Sequence, residues 1–285
     1  MKIVLAGAFG KLGTDILKSL VREGHTVLAV DMVIRDIPEI EGKYTAKKID
    51  VTNAASLAGL CEGMDAVITT VGLTATSATL TNYEIDYQGN LNLLNEAKRA
   101  GVRKFAYTSV IKADTDKTVP MLHAKAMFEN ELKKSGIPYV IFRPTGYFYD
   151  IAKVFMPMIE KGEVTLLGNK AVYANVIDTT DLADFIVLNI NNENKTYDVG
   201  GTETYSYEEM ANMFFAAAGK TPVIKRAPEW LFSVLAFINK LKKNGKEAII
   251  RFSKWTLTHD LVGDNQFGKL SFKEYVKSRY SGGEK

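Results

Sequence analysis

Residues 5–15 read LAGAFGKLGTD, with Gly7, Gly10 and Gly13 three apart. The apolar run KIVLAG (2–7) precedes them. KLGTDILKSLVREG (11–24) follows, with Leu12, Ile16, Leu17, Leu20 and Val21 on one helical face and Gly24 as its stop. A strand, a glycine turn and an amphipathic helix in direct succession predict a phosphate site. A turn without Cβ atoms lets backbone approach a pyrophosphate, and the helix start offers unpaired N–H groups and the positive end of its dipole. Gly7, Phe9, Gly10, Lys11, Leu12 and Gly13 are therefore the expected cofactor-binding residues of this turn.

Outward from the turn, β-rich runs alternate with helical patterns. HTVLAV (25–30), KYTAKKID (43–50), DAVITTVG (65–72), RKFAYTSV (103–110) and PYVIFRP (138–144) read as strands. NAASLAGLCEG (53–63) reads as a short helix, NYEIDYQGNLNLLNEAKRAG (82–101) as a long one and MLHAKAMFENELKKSG (121–136) as another. This alternation predicts an α/β protein, a doubly wound parallel sheet of Rossmann type that binds ligands at the carboxyl ends of its strands. After Pro144 the rhythm changes: a helical insertion (145–162), short strands, the helix TTDLADFIVLNI (179–190), the strand KTYDVGG (195–201), then mostly helix, with a disordered tail SGGEK. The expected division is a dinucleotide-binding core over 1–145, completed by about 172–200, and a small, mostly helical substrate lobe from 146–171 and 201–285.

The bulk properties narrow the field. A chain of 285 residues with net charge +3 has ample core and no basic stripe, so nucleic acid is not an expected partner. The single cysteine, Cys61, permits no internal disulfide and suits a reducing cytoplasm. The apolar run at the amino end is short and leads into glycines, as a strand does and a signal peptide does not, and no stretch is long enough for a transmembrane helix. His25, His123 and His259 show no metal-ligand spacing, so no metal is expected. The expected partner is a small-molecule substrate, and the sequence is compatible with an oligomer.

Asp31 closes the second strand, where a carboxylate accepts hydrogen bonds from adenosine ribose hydroxyls and repels a 2′-phosphate. The expected cofactor is NAD. Arg35 and Lys11 stand near enough in sequence to supply a counter-charge, so NADP is not excluded.

The stretches GAFGKLG, KKIDVTN, DAVITTVG, IDYQGNLNLLNEAKRAGVRKFAYTS, HAKAMFENELKKSGIPYVIFRPTGYF and YDVGG together resemble the atypical short-chain dehydrogenase/reductase superfamily, in particular its NmrA-like, divinyl-chlorophyllide-reductase-like branch. The resemblance implies that Asp50 and Val51 flank the adenine. It puts Thr70, Val71 and Gly72 along the adenosine ribose and pyrophosphate, Lys125 on the nicotinamide ribose, and Pro144 and Thr145 beside the nicotinamide amide.

The chain departs from that pattern at the chemistry. The family's usual acid, a tyrosine one helical turn before the lysine, is Met121 here. The usual serine or threonine position falls on Val110, with Ser109 one residue earlier and aimed at the other face by strand alternation. Lys125, Tyr147 and Ser109 are the catalytic candidates. Tyr147 and Tyr149 follow RPTG as replacement acids or pocket wall; their phenols could donate a proton if lysine and cofactor lowered their pKa. His123 lies two residues from Lys125 and reads as a surface residue, Cys61 as a core filler. In PEWLFSVLAFINKLKKN (228–244), Trp230, Leu231, Val234, Leu235, Ile238 and Leu241 share a face expected to pack on the substrate lobe or form a lid, with a partner- or membrane-surface helix as the alternative.

The resemblance implies an NAD(P)-dependent oxidoreductase that moves a hydride to or from a carbonyl or activated alkene of a small to medium apolar substrate. Two other readings stay open: a non-catalytic dinucleotide-binding sensor, regulator or assembly factor, and an epimerase-like enzyme that retains its cofactor.

Overall fold

Ile3, Val4, Leu5 and Ala6 are fully buried, so the first strand, β1 (Lys2–Ala6), is covered on both faces. A continuous apolar run of this kind belongs at the centre of a parallel sheet. In the computed structural model, which describes residues 1–73, 77, 79–242 and 244–281, β1 lies between β2 (Thr26–Asp31) and β4 (Ala66–Thr69). Outside them stand β3 (Thr45–Lys48), β5 (Lys104–Thr108), β6 (Tyr139–Pro144), β9 (Lys195–Gly200) and β12 (Asn265–Gln266), in the order β3-β2-β1-β4-β5-β6-β9-β12. Every neighbouring pair is parallel.

The strand order reverses between β1 and β4. The loops leaving their carboxyl ends diverge there and open the crevice in which doubly wound sheets bind ligands. One face of the sheet is covered by α1 (Lys11–Arg22) and α5 (Thr179–Asn189), the other by α2 (Asn90–Arg99) and α3 (Pro120–Lys134). The sheet and these helices are the Rossmann-type arrangement expected from the alternation.

A further apolar cluster lies beyond the sheet. It joins α4 (Phe148–Glu160), β7 (Val164–Leu167), β8 (Tyr173–Ala174), α6 (Tyr207–Ala217) and α9 (Phe272–Ser281) around Phe155, Phe214, Phe215 and Phe272. β8 pairs antiparallel with β10 (Tyr205–Ser206), and β7 parallel with β11 (Ile224–Ala227). The helices α7 (Trp230–Leu241) and α8 (Lys246–Thr256) form a hairpin at the edge.

Four local expectations change. Residues 53–63 give only a short 3-10 turn, Ala54–Leu57, because Gly59 and Gly63 both take positive φ and stop any longer helix. The helix expected over 82–101 starts as a π-helical turn, Tyr83–Gly89, before α2. The apolar face of α7 does not pack on the lobe. Only Ala236 is fully buried, while Trp230, Leu231, Val234, Leu235, Ile238 and Leu241 are exposed, because the neighbouring α8 meets the opposite side of the helix. Ser281 ends α9, so of the tail expected to be disordered residues 282–285 lie outside the described residues.

Candidate functional site

Gly7 leaves β1 with φ of 77°, a conformation that disfavours any Cβ, and a Cβ there would stand 2.5 Å from Thr70 Oγ1. The Thr70 hydroxyl donates to the carbonyls of Gly7 (3.1 Å) and Ala6 (3.3 Å), which ties the glycine turn to the end of β4. A Cβ on Gly13 would overlap the Gly7 carbonyl oxygen, so this glycine lets α1 close against the turn. Gly10 is different. It is exposed, and the nearest atom to a Cβ there is 3.4 Å away. The protein itself does not forbid a side chain at Gly10; the open space above it is what a pyrophosphate would fill. Gly10 is the N-cap of α1 and supplies no side-chain cap, so the amides of Lys11, Leu12 and Gly13 begin a helix that lacks one.

Asp31 braces this loop. Its carboxylate accepts from the Phe9 amide (3.1 Å) and the Met32 amide (2.7 Å), while the Arg35 guanidinium donates to the Phe9 carbonyl (2.7 Å). The Phe9 peptide is thus held from both sides by opposite charges. A cleft of about 410 Å³ opens beside it, lined by Phe9, Gly10, Lys11, Thr14, Lys18 and Arg35 among others. Farther along, Asp50 Oδ1 accepts from the Thr52 amide and hydroxyl, and Val51 is buried against Gly89.

At the end of β4, buried Asn90 organises the backbone. Its Oδ1 accepts from the Thr69 hydroxyl (2.8 Å), and its Nδ2 donates to the carbonyls of Val71 (3.2 Å) and Asp86 (2.9 Å). Asp86, on the π-helical turn, is fully buried and accepts from Asn82 Nδ2 and the Leu73 amide. Lys125 reaches it at 3.0 Å, with its Nζ 5.4 Å from the centre of the Tyr107 ring. A Cβ on Gly72 would stand 2.8 Å from Asp86 Oδ1 and 3.2 Å from Lys125 Nζ, so this ion pair lies directly against the loop after β4. The Tyr107 hydroxyl has no partner among the described residues, and burial with nearby Asp86 pushes its pKa well above the usual phenol range.

Ser109 is buried and donates to Glu129 Oε1 (2.6 Å); Glu129 also takes the Arg143 guanidinium, at 2.8 Å through Nε. Its hydroxyl is committed to that network, one helical turn beyond Lys125 on α3. Val110 alternates to the other face and packs against the lobe cluster. Met121 is partly buried at the start of α3, and His123 is exposed, as its spacing from Lys125 suggests.

The segment after β6 completes the crevice. Pro144 and Thr145 are buried, and the Thr145 hydroxyl donates to the Asn175 carbonyl (2.7 Å). Tyr147 and Tyr149 stack with ring centres 5.5 Å apart and 11° between planes. Burial, the largest cause, pushes both phenols up in pKa, with the charge of Asp150 adding to it. Sequence reasoning passed over Asp150. It is exposed in the first turn of α4, and partial desolvation pushes its carboxyl up to about 6, against opposing effects of Lys153 and the Tyr149 hydroxyl. Cys61 is buried, its thiol pushed up to about 12 by burial and by Glu96, as an inert core residue would be.

Asp86 and Asp150 are candidate-site residues that the sequence analysis did not name. Asp86 sits inside IDYQGN, a stretch already singled out, among the polar neighbours Asn82 and Asn90 on the same side of the turn.

A family model described as NAD(P)H-binding matches residues 7–193. The photosystem II assembly factor Ycf39 of Synechocystis sp. is 26% identical over 283 residues, covering 98% of this chain and 81% of that protein. The chloroplastic divinyl chlorophyllide a 8-vinyl-reductase of Arabidopsis thaliana is 26% identical over 287 residues, covering 87% of this chain and 66% of that protein. The NADPH-dependent quinone oxidoreductase QOR2 of Escherichia coli, solved with NADPH, superposes with a TM-score of 0.72 at 19% identity, covering 98% of this chain and 99% of that one.

Proposed function

The chain belongs to the NAD(P)H-binding family, and from that premise we propose that it is a dinucleotide-dependent oxidoreductase acting on a carbonyl or activated alkene of an apolar substrate. When bound, the nicotinamide supplies or accepts the hydride at C4. In this reading the N-terminus of α1 and the open space at Gly10 take the pyrophosphate, Asp31 takes the adenosine ribose, and Lys125 orients the second ribose. Arg35 competes with Asp31 for the choice between NAD and NADP; the carboxylate, already set at the strand end, favours NAD.

The observation that carries the reading is the glycine turn, an α1 N-terminus without a side-chain cap and with open space above Gly10, in a chain that the NAD(P)H-binding family model matches; Asp150 is the candidate proton donor. A reductive step needs a proton at the substrate, and Met121 cannot supply one. The Asp150 carboxyl, in the first turn of α4 and pushed up to about 6 by desolvation, suits that task near neutral pH. The stacked Tyr147 and Tyr149 supply an apolar wall for a flat substrate. The buried, unpaired Cys61 suits a reducing cytoplasm.

A second reading, a dinucleotide-binding assembly factor without turnover, is favoured by one specific observation: Lys125 is committed to Asp86, with methionine where the family's acid would stand. The nearly full-length likeness to an assembly factor supports it as well. Supplying NADH or NADPH with a panel of quinones, conjugated enones, aldehydes and ketones, and following nicotinamide oxidation, decides between the two. Oxidation that depends on substrate and is lost in Asp150→Asn supports the enzyme. Tight dinucleotide binding with no oxidation across the panel moves the assignment to the second reading.

A further inference from the structure

We propose that the α7–α8 hairpin docks this protein on an anionic bilayer surface. Helix α7 turns its apolar side chains outward: Trp230 is 63% exposed, Phe237 59% and Leu241 68%, with Leu231, Val234, Leu235 and Ile238 exposed beside them. At 100° per residue these seven positions span an arc of about 160°. The opposite side, with half-buried Phe232 and Asn239 and buried Ala236, faces α8. An exposed apolar face of this size on one helix is not explained by scattered surface hydrophobes; it marks an interaction surface.

Charge names the occupant. The residues that end α7 and lead into α8 read KLKKNGK (240–246), four lysines and no acid, in a chain whose net charge is only +3. Lys240, Lys242 and Lys246 are exposed. Of the acids nearest the hairpin in sequence, Glu247 is held by Arg251 at 2.8 Å, and Glu229 precedes the far end of the helix. A helix with Trp, Phe and Leu on one face and lysines at its end lies in the interface of a membrane, where the rings enter the headgroup layer and the ammonium groups meet lipid phosphates. Twelve residues are too few to cross a bilayer, and no helix among the described residues is long and apolar enough to do so.

The hairpin is also seated at the site. Its turn at Gly245 lies so close to the loop after β4 that a Cβ there would overlap the Ser77 carbonyl oxygen, and α8 packs on α3, which carries Met121 and Lys125. Docking through α7 therefore brings the crevice close to the bilayer. Membrane binding is measured without turnover, so its failure and the failure of the oxidoreductase reading are separate results.

The full chain is sedimented with vesicles of phosphatidylcholine alone and of phosphatidylcholine with phosphatidylglycerol. Binding is expected to the phosphatidylglycerol vesicles, weakening as salt rises. The combined change Trp230→Ser, Phe237→Ser, Leu241→Ser should lower the partition at least about tenfold, and Lys240→Glu with Lys242→Glu should do likewise. Because these side chains are exposed, the melting temperature and dinucleotide affinity should be unchanged in both variants, which separates lost docking from lost folding. Equal partition onto both vesicle types, no partition onto either, or partition unaffected by either variant overturns the proposal. A dimer in solution that the serine variant dissociates, with no vesicle binding, assigns the face to a second copy of the chain instead.

Discussion

Lys125 Nζ stands 3.0 Å from Asp86 Oδ1, and both side chains are buried against the loop that follows β4. The lysine expected to meet the cofactor is therefore also half of a structural ion pair. Removing one partner of a buried pair leaves the other charged and unmatched, at a cost of about 3–5 kcal/mol. Lys125→Ala should lower stability by that order in urea unfolding and weaken dinucleotide binding. Lys125→Met with Asp86→Asn should recover most of the stability and none of the binding. If the double variant binds dinucleotide as well as the parent, Lys125 has no part in the cofactor site.

The glycines of the first turn should separate by role. Gly13→Ala forces a Cβ into the Gly7 carbonyl and should cost roughly 1–3 kcal/mol of stability through backbone displacement. Gly10→Val makes only an ordinary contact with the Gly7 carbonyl oxygen, so the melting temperature should hold while NADH affinity falls at least about a hundredfold, or ~2.7 kcal/mol. Thermal unfolding and fluorescence titration of the two variants check this. Equal affinity of Gly10→Val and the parent would show that the pyrophosphate lies elsewhere.

Cofactor choice rests on Asp31 and its neighbour Arg35. Calorimetric titration of the parent should find NADH bound more tightly than NADPH. Asp31→Ser removes the repelling carboxylate and leaves Arg35 and Lys11 in place, so the affinity ratio should move toward NADPH by about tenfold, or ~1.4 kcal/mol. Tighter NADPH binding by the parent contradicts the assignment and makes Arg35 the phosphate contact.

Asp150 predicts a pH dependence with a definite sign. Its carboxyl is raised to about 6 in the folded protein. In the reductive direction the protonated form is the active one, so kcat/KM should fall as pH rises through about 6, and Asp150→Asn should remove that limb. The same shift acts on stability. The folded state prefers the protonated carboxyl, so its contribution is complete below the unfolded value of about 4 and is lost as pH rises through about 6. A pH profile that is the same in Asp150→Asn would rule this group out as the acid.

The tyrosine pair should affect turnover more than binding. Tyr149→Phe removes the hydroxyl beside Asp150 and should lower kcat by roughly ten- to a hundredfold, with NADH affinity nearly unchanged. Tyr147→Phe should also lower turnover more than cofactor affinity, but less, because it is the Tyr149 hydroxyl and not that of Tyr147 that acts on Asp150. Steady-state kinetics with the best substrate of the panel, set beside dinucleotide titration, gives both numbers.

Much of this protein was legible in its sequence where the physics is local. The spacing of Gly7, Gly10 and Gly13 between an apolar run and an amphipathic helix led to the first β-α unit, and repetition of that unit led to the parallel sheet. The place of Asp31 at the end of β2 was legible in the same way. What stayed hidden depends on groups brought together from separate elements. The pairing of Lys125 with Asp86 joins α3 to the turn before α2, and the hold of Glu129 on Ser109 and Arg143 joins α3 to the ends of β5 and β6. The raised carboxyl of Asp150 comes from the protein around it rather than from its neighbours in sequence. The fate of α7 is the plainest case. Periodicity reports that Trp230, Val234 and Leu241 share a face, and it is the same whether that face is covered or bare. Tertiary structure alone decided that α8 meets the other side and leaves these residues exposed, because burial depends on which surfaces meet in space.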